Sequence, residues 1–201
     1  MMSKEDGLFC RLERCLMADD RPSQALEQMF AQPLPPEYDL LQRLKTTEQS
    51  PVHHPEGNVW NHTMLVVDEA AKRRGESGCP EALMWAALLH DVGKPATTRV
   101  RRGKITSYDH EKVGAELART FLSGFVSEQA LVHSVCMLIR YHMQILFVGK
   151  DLPFAEVQGM KQNSDVREVA LLGLCDRLGR LHADPKGEEE NVRRFLQKCG
   201  Q

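Results

Sequence analysis

Histidine and aspartate stand at the polar ends of apolar helical runs at three places in this chain: at His62, at the pair His90-Asp91 and at Asp176. His90 follows Leu83, Ala86 and Ala87 on one helical face, so a helix there carries the imidazole along with the buried stripe. Asp91 comes next, at a helix C-terminus, where a carboxylate opposes the helix dipole. Asp176 follows Val169 and Leu172 in the same way, and His62 shares a face with Leu65, Val66 and Glu69. A carboxylate at the edge of a buried stripe needs a compensating charge. A divalent cation supplies one, and Mn²⁺, Fe²⁺, Co²⁺, Ni²⁺ and Zn²⁺ accept mixed imidazole and carboxylate ligands, with Mg²⁺ a further candidate. Two histidines and two aspartates leave positions for water and substrate, and a metal lowers the pKa of its water enough to make a nucleophile near neutral pH. Taken alone, His90-Asp91 reads by default as a core histidine bonded to its neighbour.

The elements that must position these residues are nearly all helical. Residues 7–18 and 22–31 read as short helices, split by Asp19-Asp20-Arg21, with Pro22 suited to a first turn. The prolines at 33, 35 and 36 interrupt the chain before a helix to about Lys45, and residues 46–58 form a polar loop. Helical spacing returns from Val59, and Glu81 to Asp91 is a dense apolar helix stopped by Gly93 and Pro95. The β-branched residues around Gly103 predict a small hairpin or ordered loop. A helix follows from His110, with Val113, Leu117 and Phe121 as its apolar stripe. The next runs from Ser127, the expected N-cap, with Gln129 near the capping-box position. A short helix is expected within 152–160, another from Ser164 to Gly179, a polar turn at 184–189, and a terminal helix to about Lys198. The expectation is an all-α fold of eight to ten helices: an N-terminal helical extension (1–29), a main domain (30–184) and a C-terminal helix (185–201) packed on it.

Bulk properties narrow the function. The 201 residues carry a formal net charge of −2, which argues against a general nucleic-acid coat. No apolar run near 18 residues stands out, and the N-terminus lacks a signal-type apolar core, so the expected location is the cytoplasm, with no membrane partner. The six cysteines form no C-x-x-C pair, which makes zinc-ribbon and thioredoxin-like readings weak.

The order His62, His90-Asp91, Asp176 resembles that of the HD-domain superfamily of metal-dependent phosphohydrolases. The segments HHPEGNVWNHTMLVVD, ALLHDVGKPATT, YDHEKVGAELARTFL, IRYHM and CDRLGR are similar to the HD region of bacterial tRNA nucleotidyltransferases, over about residues 30–184. No GG-x-x-R-D motif of the transferase type is present, so the chain reads as a stand-alone HD domain and CCA addition is not implied. The resemblance implies an HD-type helical bundle in which His62, His90, Asp91 and Asp176 hold one metal. In two-metal members further histidines lie between the HD pair and the last aspartate. His110 and His142 occupy that interval here, and Asp91 is placed to bridge two ions. His133, nine residues before His142, faces half a helical rotation away, so both cannot meet one site. The resemblance also gives Lys94 a role in binding phosphate or orienting Asp91.

Beyond the metal set, Lys94, Arg99, Arg101, Arg102 and Lys104 are positive, and no acidic residue occurs from Val92 to Tyr108. That segment is either a phosphate clamp or a solvated turn. Arg177 and Arg180 are candidates for substrate contact or surface ion pairs. His110 is open between metal ligand, acid and phosphate contact, and His142 between ligand and helix-end histidine. His53 and His54 read as loop residues, with a substrate contact as the alternative. Trp60 and Trp85 read as core or site wall. The expected function is hydrolysis of a nucleotide or other small phosphoester, of phosphatase or 2′,3′-cyclic phosphodiesterase type, with Asp91, Lys94 and His110 as candidate catalytic residues. The alternatives are a di-iron oxygenase of the same fold and a catalytically silent RNA- or nucleotide-binding module.

Overall fold

The computed structural model describes residues 7–201; the first six residues of the expected N-terminal extension lie outside the described residues. Among the described residues there are twelve α-helical segments and one two-stranded sheet. Two segments, α3 (Asp39–Gln42) and α6 (Lys94–Thr97), are single turns, so the fold is all-α as expected. The sheet is the expected hairpin: β1 (Arg99–Arg101) pairs antiparallel with β2 (Lys104–Thr106), Val100 facing Ile105. Arg102 and Gly103 both take positive φ, 51° and 73°, the conformation a two-residue hairpin turn needs.

Helix α5 (Pro80–Leu89) is the centre of the molecule. Every residue from Ala82 to Leu89 is buried, so the helix is apolar all round and other elements must cover it on every side. Helices α4 (Val59–Arg73), α8 (Gln129–Tyr141), α11 (Val166–Leu178) and α1 (Leu8–Ala18) pack around it. Asn58 caps α4, its side chain accepting from the Asn61 N–H, and the Asp165 side chain caps α11 in the same way through Arg167 N–H; each satisfies an otherwise orphaned helix donor. The N-terminal helices share this core. Phe9 of α1 stacks on Trp85 at 4.8 Å. Leu12, Leu16 and Leu26, the last from α2 (Pro22–Met29), are fully buried, each contributing roughly 2 kcal/mol of hydrophobic stabilisation. The Ser23 hydroxyl donates to Asp68 at 2.7 Å and Trp60 Nε1 donates to Glu27 at 2.7 Å, tying α2 to α4. At the other end, Phe195 of α12 (Pro185–Lys198) is fully buried against the same cluster. Trp60 and Trp85 are both core residues.

Several local expectations are corrected. Helix α5 ends at Leu89, leaving His90 at its C-cap and Asp91 in the turn that follows. In α7 (His110–Ser123) the buried face is His110, Glu111, Gly114, Ala115, Ala118, Phe121 and Leu122, while Leu117 is 37 % exposed. Small residues let α7 lie close along α8, and that close approach outweighs burial of the larger Val113 and Leu117. Ser127 is not a cap: α8 begins at Gln129 after Glu128, with no side-chain cap bond. The short helix is α10, displaced to Val157–Asn163 beyond Pro153. The expected turn at 184–189 is instead the start of α12, with Pro185 in the first turn, where a missing N–H costs nothing. One stretch, Gln129–Gly149, does have the length and apolar character of a membrane span, but 61 % of its most apolar 18-residue window is buried in the protein. It is also divided at His142-Met143 into α8 and α9 (Gln144–Gly149), which makes it a core element.

Candidate metal centre and its cavity

The ends of five helices meet at one point. The first turn of α4 brings His62, the end of α5 brings His90 and the turn after it Asp91, the N-terminus of α7 brings His110, the residue after α8 is His142, and the last turns of α11 carry Asp176. All six are buried. Gly93 makes the α5–α7 approach possible. A Cβ there would lie 2.0 Å from the His110 carbonyl oxygen and 2.7 Å from Gly114 N, so no other residue fits without moving α7. That contact sets His110 beside Asp91.

Asp91 lies between two groups. On one side are His62 and His90, with His90 Nε2 at 3.2 Å from Asp91 Oδ2. On the other are His110 and His142: His110 Nε2 is 3.4 Å from Asp91 Oδ1 and 3.3 Å from His142 Nε2. Asp176 Oδ1 is 2.9 Å from His62 Nε2. Lys94 Nζ sits 2.7 Å from Asp91 Oδ2 and donates to Gln49 Oε1 at 2.7 Å.

The ring nitrogens facing away from the centre define the tautomers. His90 Nδ1 is 2.9 Å from the Ala87 carbonyl, His110 Nδ1 2.7 Å from the Ser107 carbonyl and His142 Nδ1 2.7 Å from the Ile139 carbonyl. A carbonyl only accepts, so each Nδ1 must carry the proton, and each neutral ring then turns a bare Nε2 lone pair inward. Lone pairs therefore face one another across 3.3 Å between His110 and His142, and His90 Nε2 is buried with no hydrogen-bond partner. Lone pairs and carboxylate oxygens converging without donors are unfavourable unless a cation lies among them. The residues present fit a divalent metal. The same tautomer leaves neutral His110 without an Nε2 proton, which suits a ligand better than the proton donor considered from sequence.

Without a cation, Lys94, Arg180 and protonated rings take its place in holding the carboxylates ionised. Burial alone would raise the pKa of Asp91, but His90, Lys94 and His110 hold it well below the ordinary carboxylate range. Burial likewise opposes ionisation of Asp176, and Arg180 and His62 outweigh it. Burial, together with His110 and His90, pushes His142 down to about 3. Burial also lowers His110, against the pull of Asp91. His62 goes the other way: burial disfavours its charge, but Asp176 and Glu56 raise it.

The centre forms the floor of a cavity of 720 Å³, within the usual range for a small-molecule site. Lys94, Lys112 and Arg180 supply its positive charge, and Tyr108, Leu146, Phe147 and Phe154 make an apolar and aromatic wall. Arg180 Nη2 lies 3.4 Å from Asp176 Oδ1. The structure does not bring the other proposed cations here. Arg99 and Arg101 lie on the exposed hairpin, and Arg99 donates to the Ala96 and Thr98 carbonyls. Arg177 pairs with Glu188 at 2.8 Å, on the α12 side. His133 is exposed.

Two residues, Gln49 and Glu56, escaped the sequence reading, and a third, His54, was read there as a loop residue with a substrate contact as the alternative. Gln49 positions Lys94, as above. His54 lines the cavity beside His62, their rings 4.6 Å apart, and burial with Lys94 nearby lowers it to about 3. Glu56 has Oε1 2.9 Å from both His54 Nδ1 and His62 Nδ1. All three sit in the polar loop of residues 47–58, where no periodicity marks a direction. The E-G-N run just before α4 is the one local sign that Glu56 enters the helix start beside His62.

Comparison with known proteins agrees with this geometry. The family model described as "HD domain" matches residues 59–181, a span that contains all six converging residues. A multifunctional CCA protein of Methylococcus capsulatus is 29 % identical over 184 residues, covering 89 % of this chain and 34 % of that protein. Another from Aromatoleum aromaticum is 36 % identical over 157 residues, 72 % of this chain and 35 % of that protein. A CC-adding tRNA nucleotidyltransferase of Thermus thermophilus is 37 % identical over 100 residues, 49 % of this chain and 22 % of that protein. The chain thus spans about a third or less of the length of these curated relatives. With its helices, its converging histidines and aspartates and this similarity in agreement, the chain belongs to the HD-domain family.

Proposed function

We propose that the protein is a metal-dependent phosphohydrolase whose substrate is a nucleotide or a nucleotide-sized phosphoester. The observation that carries this is Asp91, a buried carboxylate shared between two sets of inward-facing imidazole lone pairs at the floor of an open cavity. His62, His90, Asp91 and Asp176 would hold one ion, and His110 and His142 with Asp91 would offer a second position. A divalent cation bound there supplies Lewis-acid polarisation of a phosphoryl oxygen and an acidified water.

The chain's own residues supply the rest. Lys94, fixed by Gln49 and Asp91, presents its ammonium to the cavity, where it offsets charge on the phosphoryl oxygens. Arg180 adds a guanidinium that can pair with the same oxygens. Hydrolysis joins a water oxygen to phosphorus and breaks the ester P–O bond, the leaving oxygen taking up a proton. Gln49 and Ser107 keep Lys94 and His110 in register through this step. The aromatic and aliphatic wall favours a substrate with a planar apolar group over a small sugar phosphate. The names of the relatives, which concern CCA and tRNA, support a nucleotide or an RNA end as its source. Arg99, Arg101 and Arg177 play no part in the cavity under this reading.

The test is elemental analysis of protein purified without chelator, followed by a metal-supplemented panel of phosphomonoesters and 2′,3′-cyclic nucleotides. Asp91→Ala is expected to lose both bound metal and hydrolysis. A fully active Asp91→Ala protein without metal would sink the assignment. A second reading keeps the same ligands: four histidines and two aspartates gathered around a shared carboxylate also suit two irons and oxygen chemistry. Oxygen consumption with a mixed-valence iron signal, and no hydrolysis, would favour it.

A further inference from the structure

Glu56 sits just before α4 with its side chain only 2 % exposed. One of its oxygens, Oε1, is 2.9 Å from His54 Nδ1 and 2.9 Å from His62 Nδ1. A buried carboxylate oxygen between two ring nitrogens is well placed to accept an N–H from each. The His54 contact is a hydrogen bond, whereas the His62 contact is bent, and His62 Nδ1 has no other hydrogen-bond partner. The other three inward-facing histidines have their Nδ1 protons taken by main-chain carbonyls. His62 has no such carbonyl, so Glu56 stands where the main chain stands for the rest. The loop holds the carboxylate in place: the Glu56 carbonyl accepts from Asn61 Nδ2 at 3.0 Å, and Oε2 lies 3.4 Å from Leu181 N.

We propose that Glu56 is a positioning residue that sets the tautomers of two histidines with one oxygen, turning His62 Nε2 to the metal and His54 Nε2 to the cavity. A cation bound at the centre would then meet a lone pair on His62 Nε2, the nitrogen that lies 2.9 Å from the Asp176 carboxylate. His54, on the cavity wall, presents an acceptor to a substrate hydroxyl or to water. Glu56 thereby links metal affinity to the shape of the substrate site. The inference rests on the metal-site reading above for His62 and is independent of it for His54.

The experiment has two arms. In the first, zinc alone is titrated calorimetrically into metal-free wild type, Glu56→Ala, Glu56→Gln and His54→Ala. Loss of an outer partner of a metal-ligating histidine weakens binding about 10- to 100-fold, and that is the expectation for Glu56→Ala. Glu56→Gln, whose amide oxygen still accepts an N–H, should recover most of the affinity, and His54→Ala should bind zinc as wild type does. Wild-type affinity in Glu56→Ala overturns the proposal. In the second arm, ¹⁵N shifts of the histidine rings are read in wild type at pH 8, free and zinc-loaded. Nδ1–H is expected for His54 in both and for His62 when loaded; an Nε2–H ring at His54 overturns the proposal even where Glu56→Ala fails to fold. If wild type binds no metal, the phosphohydrolase reading fails while the His54 tautomer still decides the role of Glu56.

Discussion

His54 and His142 are both held neutral by burial, each pushed down to about 3. An unfolded chain takes up the imidazole proton near pH 6.5. Between about pH 6.5 and 3 the unfolded state therefore binds protons that the folded, metal-free state refuses, and stability falls as pH drops through that window. His62 acts in the opposite sense: its pKa is raised, so its contribution is complete below about pH 6.5 and is lost only as pH rises through its folded value. Asp91 and Asp176 have lowered values and contribute fully until pH falls below about 4. Metal-stripped protein should accordingly melt at a clearly lower temperature at about pH 4.5 than at about pH 6.5. Equal midpoints would mean that the two rings are solvated. His62, His90, Asp91 and Asp176 could be picked from the sequence because they stand at the polar ends of apolar helices in the order that resembles the HD family. Glu56 and Gln49 could not, since a loop has no periodicity from which to read a direction.

Elements meet at this site through one close approach. The turn from Asp91 to Lys94 lies against the start of α7, and Gly93 is the residue that permits it. Gly93→Ala should push α7 outward, at a cost of about 2 kcal/mol or more, since overpacking of a tight contact typically costs 1–3 kcal/mol. His110 would move with α7, so the variant should also bind fewer metal ions per chain. Urea denaturation and metal stoichiometry check the two parts, and unchanged stability would show that the turn relaxes freely. The existence of the helices and of the hairpin followed from apolar spacing and turn residues. The faces and ends did not. Helix α7 buries its small residues because α8 and the turn after α5 come close, and α5 stops before Asp91 because that turn must pass α7. Neither neighbour is visible in local sequence.

The molecule has one continuous core that reaches from Phe9 to Cys199. Phe195 belongs to it and is remote in sequence from the metal centre, so Phe195→Ala should cost about 3–5 kcal/mol through the cavity it leaves. Zinc affinity of the folded variant should stay within about threefold of wild type, because α12 carries no ligand. Chemical denaturation and calorimetry test this, and a lost metal site would show that α12 also braces α11 and with it Asp176. Residue types and spacing by themselves determined the helical class and the hairpin, because burial periodicity is a local property of the chain; the ordered resemblance added His62, His90, Asp91 and Asp176 and left His110 and His142 open. Tertiary structure alone decided that Asp91 is shared between two groups of histidines, that Lys94 and Arg180 face the cavity while Arg99, Arg101 and Arg177 do not, and that Glu56 stands behind His62. Those are distances between residues far apart in sequence, and they are set by how helices pack on α5.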